Sequence, residues 1–404
     1  MATKQITTTC LIAGGGPAGM MCGFLLARAG VDAIVLEKHK DFLRDFRGDT
    51  VHPSTMQVLH ELGLLEEFLK RPHQEITHVY AQFGDQRLKV GDMSHLPTKA
   101  KFIALMPQWD FLDFLASKAK DFPHHRLMMK TEAKALIVEN GVVTGVRAEA
   151  PDGPLEIRAD LVIGADGRHS GLRDGSGLPV KDLGVPIDVL WTRIAKQGGG
   201  GQAVMGRFAA GAIFVMLDRG DYWQSALVIK KGGFDAIKAQ GLEAFRKRLV
   251  ELSGLDSAND IESWDDVKLL TVTVDRMEKW WRPGLLFIGD AAHAMSPIGG
   301  IGINLAIQDA VAASNLLAEP LRTKRVADAD LEALQKRRFF PTWATQGVQV
   351  AIQNNIMTQL LDAKEQPQPP FILKLAQHWT FLQRIPARVV GMGVRPEHVR
   401  TKAA

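Results

Sequence analysis

The sequence predicts an α/β protein, on three observations. A glycine turn joins a short apolar strand to a helix and a second strand near the N-terminus. Two further apolar strands end in acidic turns, at Leu161–Gly167 and Leu285–Asp290. Between them lies a strand-rich stretch over 180–235. The first observation is the strongest. Residues 8–13 (TTCLIA) form a β-branched and apolar run, residues 17–29 (PAGMMCGFLLARA) space their apolar side chains as a helix does, and residues 31–36 (VDAIVL) form a buried-type strand. Strand, helix and strand in about 30 residues make a right-handed βαβ unit, which requires a parallel sheet.

The later elements follow in order. A helix is expected over 51–70, with Leu59, Leu62, Leu65 and Phe68 on one side, then short polar strands over 76–100 and a helix over 109–120. The 180–235 stretch is expected to form a mostly antiparallel sheet. A helix near 242–252 and a strand over 268–274 come next. Beyond Asn304 the chain reads as helical, with a break at EQPQPP (365–370), whose prolines interrupt any helix.

Composition narrows the function classes. The chain has 404 residues, 46% hydrophobic and 23% charged, which suits a globular protein of at least two domains and excludes disordered or disulfide-scaffold classes. Forty-nine basic against forty-five acidic residues leave +4, too little for a nucleic-acid-coating surface. The two cysteines, Cys10 and Cys22, fall in the first strand and helix and are expected to be buried thiols. Neither a signal peptide nor a membrane span is read, so a cytoplasmic location is expected. From Arg384 onward five basic residues face one acid, Glu397, a pattern that suits a core-capping tail or, as the weaker alternative, peripheral membrane contact.

Three motifs carry chemistry. In GGGPAG, Gly14 permits a tight turn, Gly16 lets backbone approach a pyrophosphate at the helix N-terminus, and Gly19 allows close packing of helix on strand. Glu37, at the end of the next strand, can accept from ribose hydroxyls. In LVIGADGRHSGLR, Asp166 ends an apolar strand. In LLFIGDAAHAMSPIGGIGIN, Asp290 ends another, and Gly299, Gly300 and Gly302 let backbone N–H groups face a flat or anionic ligand.

Together these motifs resemble the class A FAD-dependent aromatic monooxygenases of the para-hydroxybenzoate hydroxylase type, over nearly the whole chain. The resemblance implies a Rossmann-like FAD-binding domain from 1–75, 101–180 and 268–345, a substrate-binding β-sheet domain from 76–100 and 181–267, and a C-terminal helical segment over 346–404. It places Gly14, Gly16, Pro17, Ala18 and Gly19 at the FAD pyrophosphate, Glu37 and Lys38 at the adenosine ribose, and Arg47, Gln108, Asp166 and Asp290 elsewhere along the cofactor. Pro297, Gly299, Gly300, Gly302, Ile303 and Asn304 would line the isoalloxazine. Many relatives carry a second proline where this chain has Ser296.

The implied reaction is hydroxylation of an aromatic or apolar small molecule: NADH or NADPH reduces FAD, O2 adds at the flavin C4a position, and the hydroperoxide delivers one oxygen atom. No metal is expected, and a monomer or homodimer is. Tyr222 and His52 are the candidate bases. Trp191, Phe214, Met216 and Trp223 are expected to line the substrate pocket if strand alternation turns them inward. The run Gly198–Gly201 reads as a loop. Two alternatives stay open: an FAD-dependent reductase of the geranylgeranyl reductase type, and a flavin-binding protein without turnover.

Overall fold

The computed structural model describes residues 4–43, 50–196 and 204–404. The βαβ unit forms as the apolar spacing predicts: strand Lys4–Ala13, helix Pro17–Arg28 and strand Ala33–Leu36. Lys4–Ala13 is the centre of an eight-stranded sheet, flanked in parallel by Ala33–Leu36 and Gly153–Gly164. His125–Met128 and Leu285–Phe287 extend it in parallel on either side. A hairpin, Glu132–Glu139 and Val142–Ala150, joins Gly153–Gly164 antiparallel. The strand cores are apolar on both faces because helices cover them: Pro17–Arg28 and Gly302–Arg322 bury nearly every inward residue against the sheet.

A second sheet has seven strands in the order Lys268–Leu270, Ile187–Ala195, Tyr222–Lys230, Ala212–Asp218, Val204–Ala209, His78–Phe83 and Gln86–Asp92. All pairs are antiparallel except Val204–Ala209 beside His78–Phe83. Two segments distant in sequence thus share one sheet. Helix Leu242–Ser253 covers one face through Phe245, Leu249 and Leu252, and the other face turns toward the first sheet's motif loops.

Two local expectations change, and a third is not described. The helix over 51–70 divides into Pro53–Glu61 and Leu65–Phe68, because Gly63 adopts φ +74° and turns the chain. The strand over 268–274 stops at Leu270. Beyond it, the Val272 N–H donates to Asp188 Oδ1 at 2.9 Å and leaves the ladder. The Gly198–Gly201 loop lies outside the described residues.

The C-terminal part is helical, broken between Asp362 and Phe371 at the prolines. Its tail is tied down. Buried Glu397 accepts from Arg337 Nη2 at 2.7 Å, the Arg28 Nη1 donates to the Thr401 carbonyl at 2.8 Å, and the Ala404 N–H donates to the Arg28 carbonyl at 2.9 Å. One stretch, Ile298–Arg322, is long and apolar enough by composition to cross a membrane. With 78% of its apolar window buried inside the protein, it is a core helix.

Candidate active site

The three motifs meet at the carboxyl edge of the parallel sheet, the place where open α/β sheets bind ligands. Backbone hydrogen bonds align the strand ends: Gly14 N–H to the Leu36 carbonyl at 2.9 Å, Ala165 N–H to Ala13 at 2.7 Å, and Ile288 N–H to Gly164 at 3.0 Å. The glycines of the first motif divide by surroundings. Gly14 has φ +114°, and a Cβ there would stand 2.3 Å from the Ala165 carbonyl oxygen. One at Gly19 would stand 1.9 Å from the Gly14 oxygen. Gly16 has nothing within 4 Å of its Cβ position and precedes Pro17 and Ala18 at the helix N-terminus. It leaves a backbone surface open where N–H groups and the helix dipole favour an anion. Buried Glu37 accepts from the Gly15 N–H at 3.2 Å and the His39 N–H at 2.9 Å, while Lys38 is exposed.

Asp166 sits directly beside Gly14. Burial pushes its carboxyl above the ordinary value, against the hydrogen bond from Ser170, and its Oδ1 is buried without a partner among the described residues. Arg168 donates through Nη2 to Asp290 Oδ2 at 3.2 Å and so joins the second motif to the third; its Nη1 is buried with no partner among the described residues. Sequence reasoning passed over Arg168. It also missed Asp275, whose Oδ1 accepts from Arg173 Nη1 at 3.2 Å and from the Ala294 N–H at 3.2 Å. These partners lie about 100 residues from the motif, so no local pattern reveals them.

The glycine loop of the third motif turns at Gly299 (φ +76°) and Gly300 (φ +64°) and opens the helix at Gly302. His52 and Thr50 hold it. The His52 Nε2–H donates to the Gly300 carbonyl at 3.1 Å, and burial lowers this imidazole to about 4, so it is neutral at pH 7. Ile303 is half-buried. Asn304 is fully buried; Ser54 Oγ and Thr55 Oγ1 donate to its Oδ1, and its Nδ2 has no partner among the described residues. Gln108 begins the Gln108–Ala119 helix. Arg47 lies outside the described residues.

A row of glutamines on the Asp328–Ile352 helix and its continuation clamps this loop from behind. Gln346 Nε2 donates to the Asp275 and Ala294 carbonyls at 2.7 and 3.0 Å. Gln349 Nε2 donates to the Ser296 and Ile298 carbonyls at 3.1 and 3.0 Å, and its Oε1 accepts from the Ser296 N–H at 3.2 Å. Gln353 Nε2 donates to Ser296 Oγ at 2.7 Å. Serine in place of proline at 296 therefore supplies an N–H and a hydroxyl that the clamp uses.

The sheet face opposite the loop differs from expectation. Phe214, Met216 and Trp223 lie on the face packed under helix Leu242–Ser253, and only Trp191 of the four turns toward the loop. The alternation places Val189, Trp191, Ile213, Val215, Leu217, Ala226 and Val228 on the site side. Ile298 packs on this face, and Ile103, Leu105, Met93 and Val390 complete the apolar surroundings. Tyr222 shares the face, with the Arg193 guanidinium 4.8 Å above its ring.

A sheet edge presenting a glycine turn, two acidic turns and a proline-glycine loop defines a dinucleotide-binding flavoenzyme, and the open Gly16 surface with the unpartnered Asp166 Oδ1 and Arg168 Nη1 fits FAD. A family model described as an FAD binding domain matches residues 7–347, and the chain belongs to that family, the FAD-dependent monooxygenases of aromatic-hydroxylase type. It is 32% identical over 351 residues to a 6-methylpretetramide 4-monooxygenase of Streptomyces rimosus, covering 85% of this chain and 83% of that one. It is 26% identical over 314 residues to a rifampicin monooxygenase of Streptomyces venezuelae, spanning 74% of this chain and 62% of that relative. PqsL of Pseudomonas aeruginosa, a probable FAD-dependent monooxygenase, shares the fold at a TM-score of 0.72 and 24% identity, covering 88% of this chain and 97% of its own.

Proposed function

We propose that this monooxygenase hydroxylates an aromatic or apolar small molecule held between the Gly299–Ile301 loop and the apolar face of the seven-stranded sheet, with NADH or NADPH as reductant and O2 as oxygen donor. The observation that carries the reading is that face: Trp191, Val215 and Leu217 beside Ile103 and Leu105, on the side of the sheet where Ile298 of the glycine loop packs. When bound, FAD supplies the two-electron chemistry that links a nicotinamide donor to O2, one oxygen atom entering the ring and the other leaving as water.

The chain's own residues do the rest. Gly14, Gly16, Pro17, Ala18 and Gly19 would hold the pyrophosphate, Glu37 and Lys38 the adenosine ribose, and Arg47, Gln108, Asp166 and Asp290 further parts of the cofactor. The loop from Pro297 through Gly299, Gly300 and Gly302 to Ile303 and Asn304 would line the ring system, and the N-terminus of the helix that opens at Gly302 would stabilise negative charge there. The apolar wall excludes water from the reacting centre. His52, with its Nε2–H engaged by Gly300, positions this loop and does not move a proton. Tyr222, on the same sheet face as Trp191, is the group available to hydrogen-bond a phenolic substrate oxygen.

Similarity to the 6-methylpretetramide 4-monooxygenase puts that compound first in a substrate panel, followed by phenols and quinolones. The test is NADH and NADPH consumption by the purified yellow protein with product analysis. Substrate-stimulated consumption matched by a product one oxygen atom heavier supports the reading. Consumption matched by a reduced product without added oxygen would replace it with a reductase.

A further inference from the structure

Helices Phe371–His378 and Phe381–Met392 lie on the edge strand Gln86–Asp92. Gln377 plugs that edge, accepting from the Lys89 N–H at 3.1 Å and donating to the Lys89 carbonyl at 3.0 Å. The inner sides of the helices bury Ala376, Ala387, Gly391 and Met392. Their outer sides are also apolar: Phe371, Ile372, Trp379, Phe381 and Ile385 are each between 53% and 78% exposed. Trp379 and Phe381 stack on one another at 6.2 Å, and Ile385 follows Phe381 by one helical turn. So many large apolar side chains on two short helices mark an interaction surface and exceed the scattered apolar exposure of an ordinary surface.

The charge around them selects the partner. From Gln366 to Pro396 there is no Asp or Glu, and Lys374, Arg384 and Arg388 are exposed beside the apolar residues. Arg384 and Arg388 stand four residues apart on one helix face, where like charges repel unless an anion lies between them. Aromatic and aliphatic anchors flanked by cations, with no acid, match the boundary of an anionic bilayer: rings and aliphatic chains enter the headgroup zone while guanidinium groups reach phosphates. An acidic protein partner would also answer the charge, but the size of the apolar face favours lipid. We propose that these two helices dock the enzyme peripherally on an anionic lipid surface without crossing it. The inner side of the same helix reaches the active-site loop, where Val390 stands 3.7 Å from the Gly299 Cβ position, so docking would bring the substrate chamber close to the bilayer. The proposal does not depend on which substrate is hydroxylated.

The test is co-sedimentation of the holoprotein with phosphatidylcholine vesicles and with vesicles containing about a third phosphatidylglycerol. The expected result is at least tenfold more protein on the anionic vesicles at low salt, falling as salt rises. Arg384→Glu with Arg388→Glu, a surface change that leaves flavin content intact, should abolish that preference, and Trp379→Ser with Phe381→Ser and Ile385→Ser should abolish binding. Equal or absent binding to the two vesicle types overturns the proposal. So does a concentration-dependent dimer that is lost in the apolar-face variant, which would assign the surface to a second copy of the chain.

Discussion

Gly14, Gly16 and Gly19 belong to one turn, but their surroundings assign them different work. Gly14 and Gly19 are held by steric closeness, Gly16 by what it leaves open. Gly19→Ala is therefore expected to lower the melting temperature of the protein with or without FAD, because its Cβ meets the Gly14 carbonyl oxygen. Gly16→Val is expected to leave the apoprotein's melting temperature within about 2 °C and to weaken FAD binding roughly tenfold or more, read by flavin fluorescence titration. Equal melting losses in both variants would contradict this division. His52 makes a pH prediction. Its folded-state value near 4 lies below the ordinary 6.5, so the unfolded chain binds a proton first as pH falls. The stability it contributes is complete above 6.5 and is lost between 6.5 and 4; the change from pH 7.5 to 5 costs about 2 kcal/mol. Urea denaturation at both pH values checks this, and His52→Gln should flatten the difference by that amount.

Among the elements, the βαβ unit was legible because its strands are buried on both faces and its helix is apolar on nearly every side, Ala18 through Ala27 being buried without a break. Both patterns survive in a linear reading. Strand existence in the seven-stranded sheet was legible too, but which face meets the site was not. Both faces are apolar, one under helix Leu242–Ser253 and one toward the loop, so alternation shows two sets of residues and does not say which set is which. Trp191→Ala is expected to raise KM for the substrate at least fivefold with FAD affinity unchanged, whereas Phe214→Ala should lower the melting temperature with little effect on KM. The glutamine clamp escaped for a different reason. Gln346, Gln349 and Gln353 are spaced to share a helix face, but their partners are backbone atoms of a distant loop, which carry no side-chain signature. Gln349→Leu leaves the Ser296 N–H and two carbonyls unpaired in a buried setting. It is expected to loosen the loop and weaken FAD binding several-fold, read by the rate of flavin release, with far-ultraviolet circular dichroism unchanged.

For the whole molecule, a buried ionic chain ties the C-terminal tail to the cofactor edge. Burial alone would raise Asp309, but His293 and Arg338 beside it override that effect and hold its carboxyl at about 2. Asp309 accepts from the Gly289 N–H at 3.0 Å, from His293 Nε2 at 2.6 Å and from Arg338 Nε at 2.8 Å, and Arg338 in turn faces Glu397 at 3.7 Å. The turn bearing Asp290 is thus anchored through Asp309, 19 residues further along, Arg338, 48 residues along, and Glu397 of the tail, 107 residues along. Such long-range pairing is invisible to motif reading, although the motifs themselves located the sheet edge on which everything converges. The central claim is that this edge and the apolar sheet face together support transfer of an oxygen atom from O2 to an aromatic ring. The most direct measurement is turnover of the responsive substrate under 18O2 in ordinary water, with mass analysis of the product. One 18O atom in each hydroxylated product molecule is the expected result. Product that carries oxygen from water, or carries none, would contradict the account.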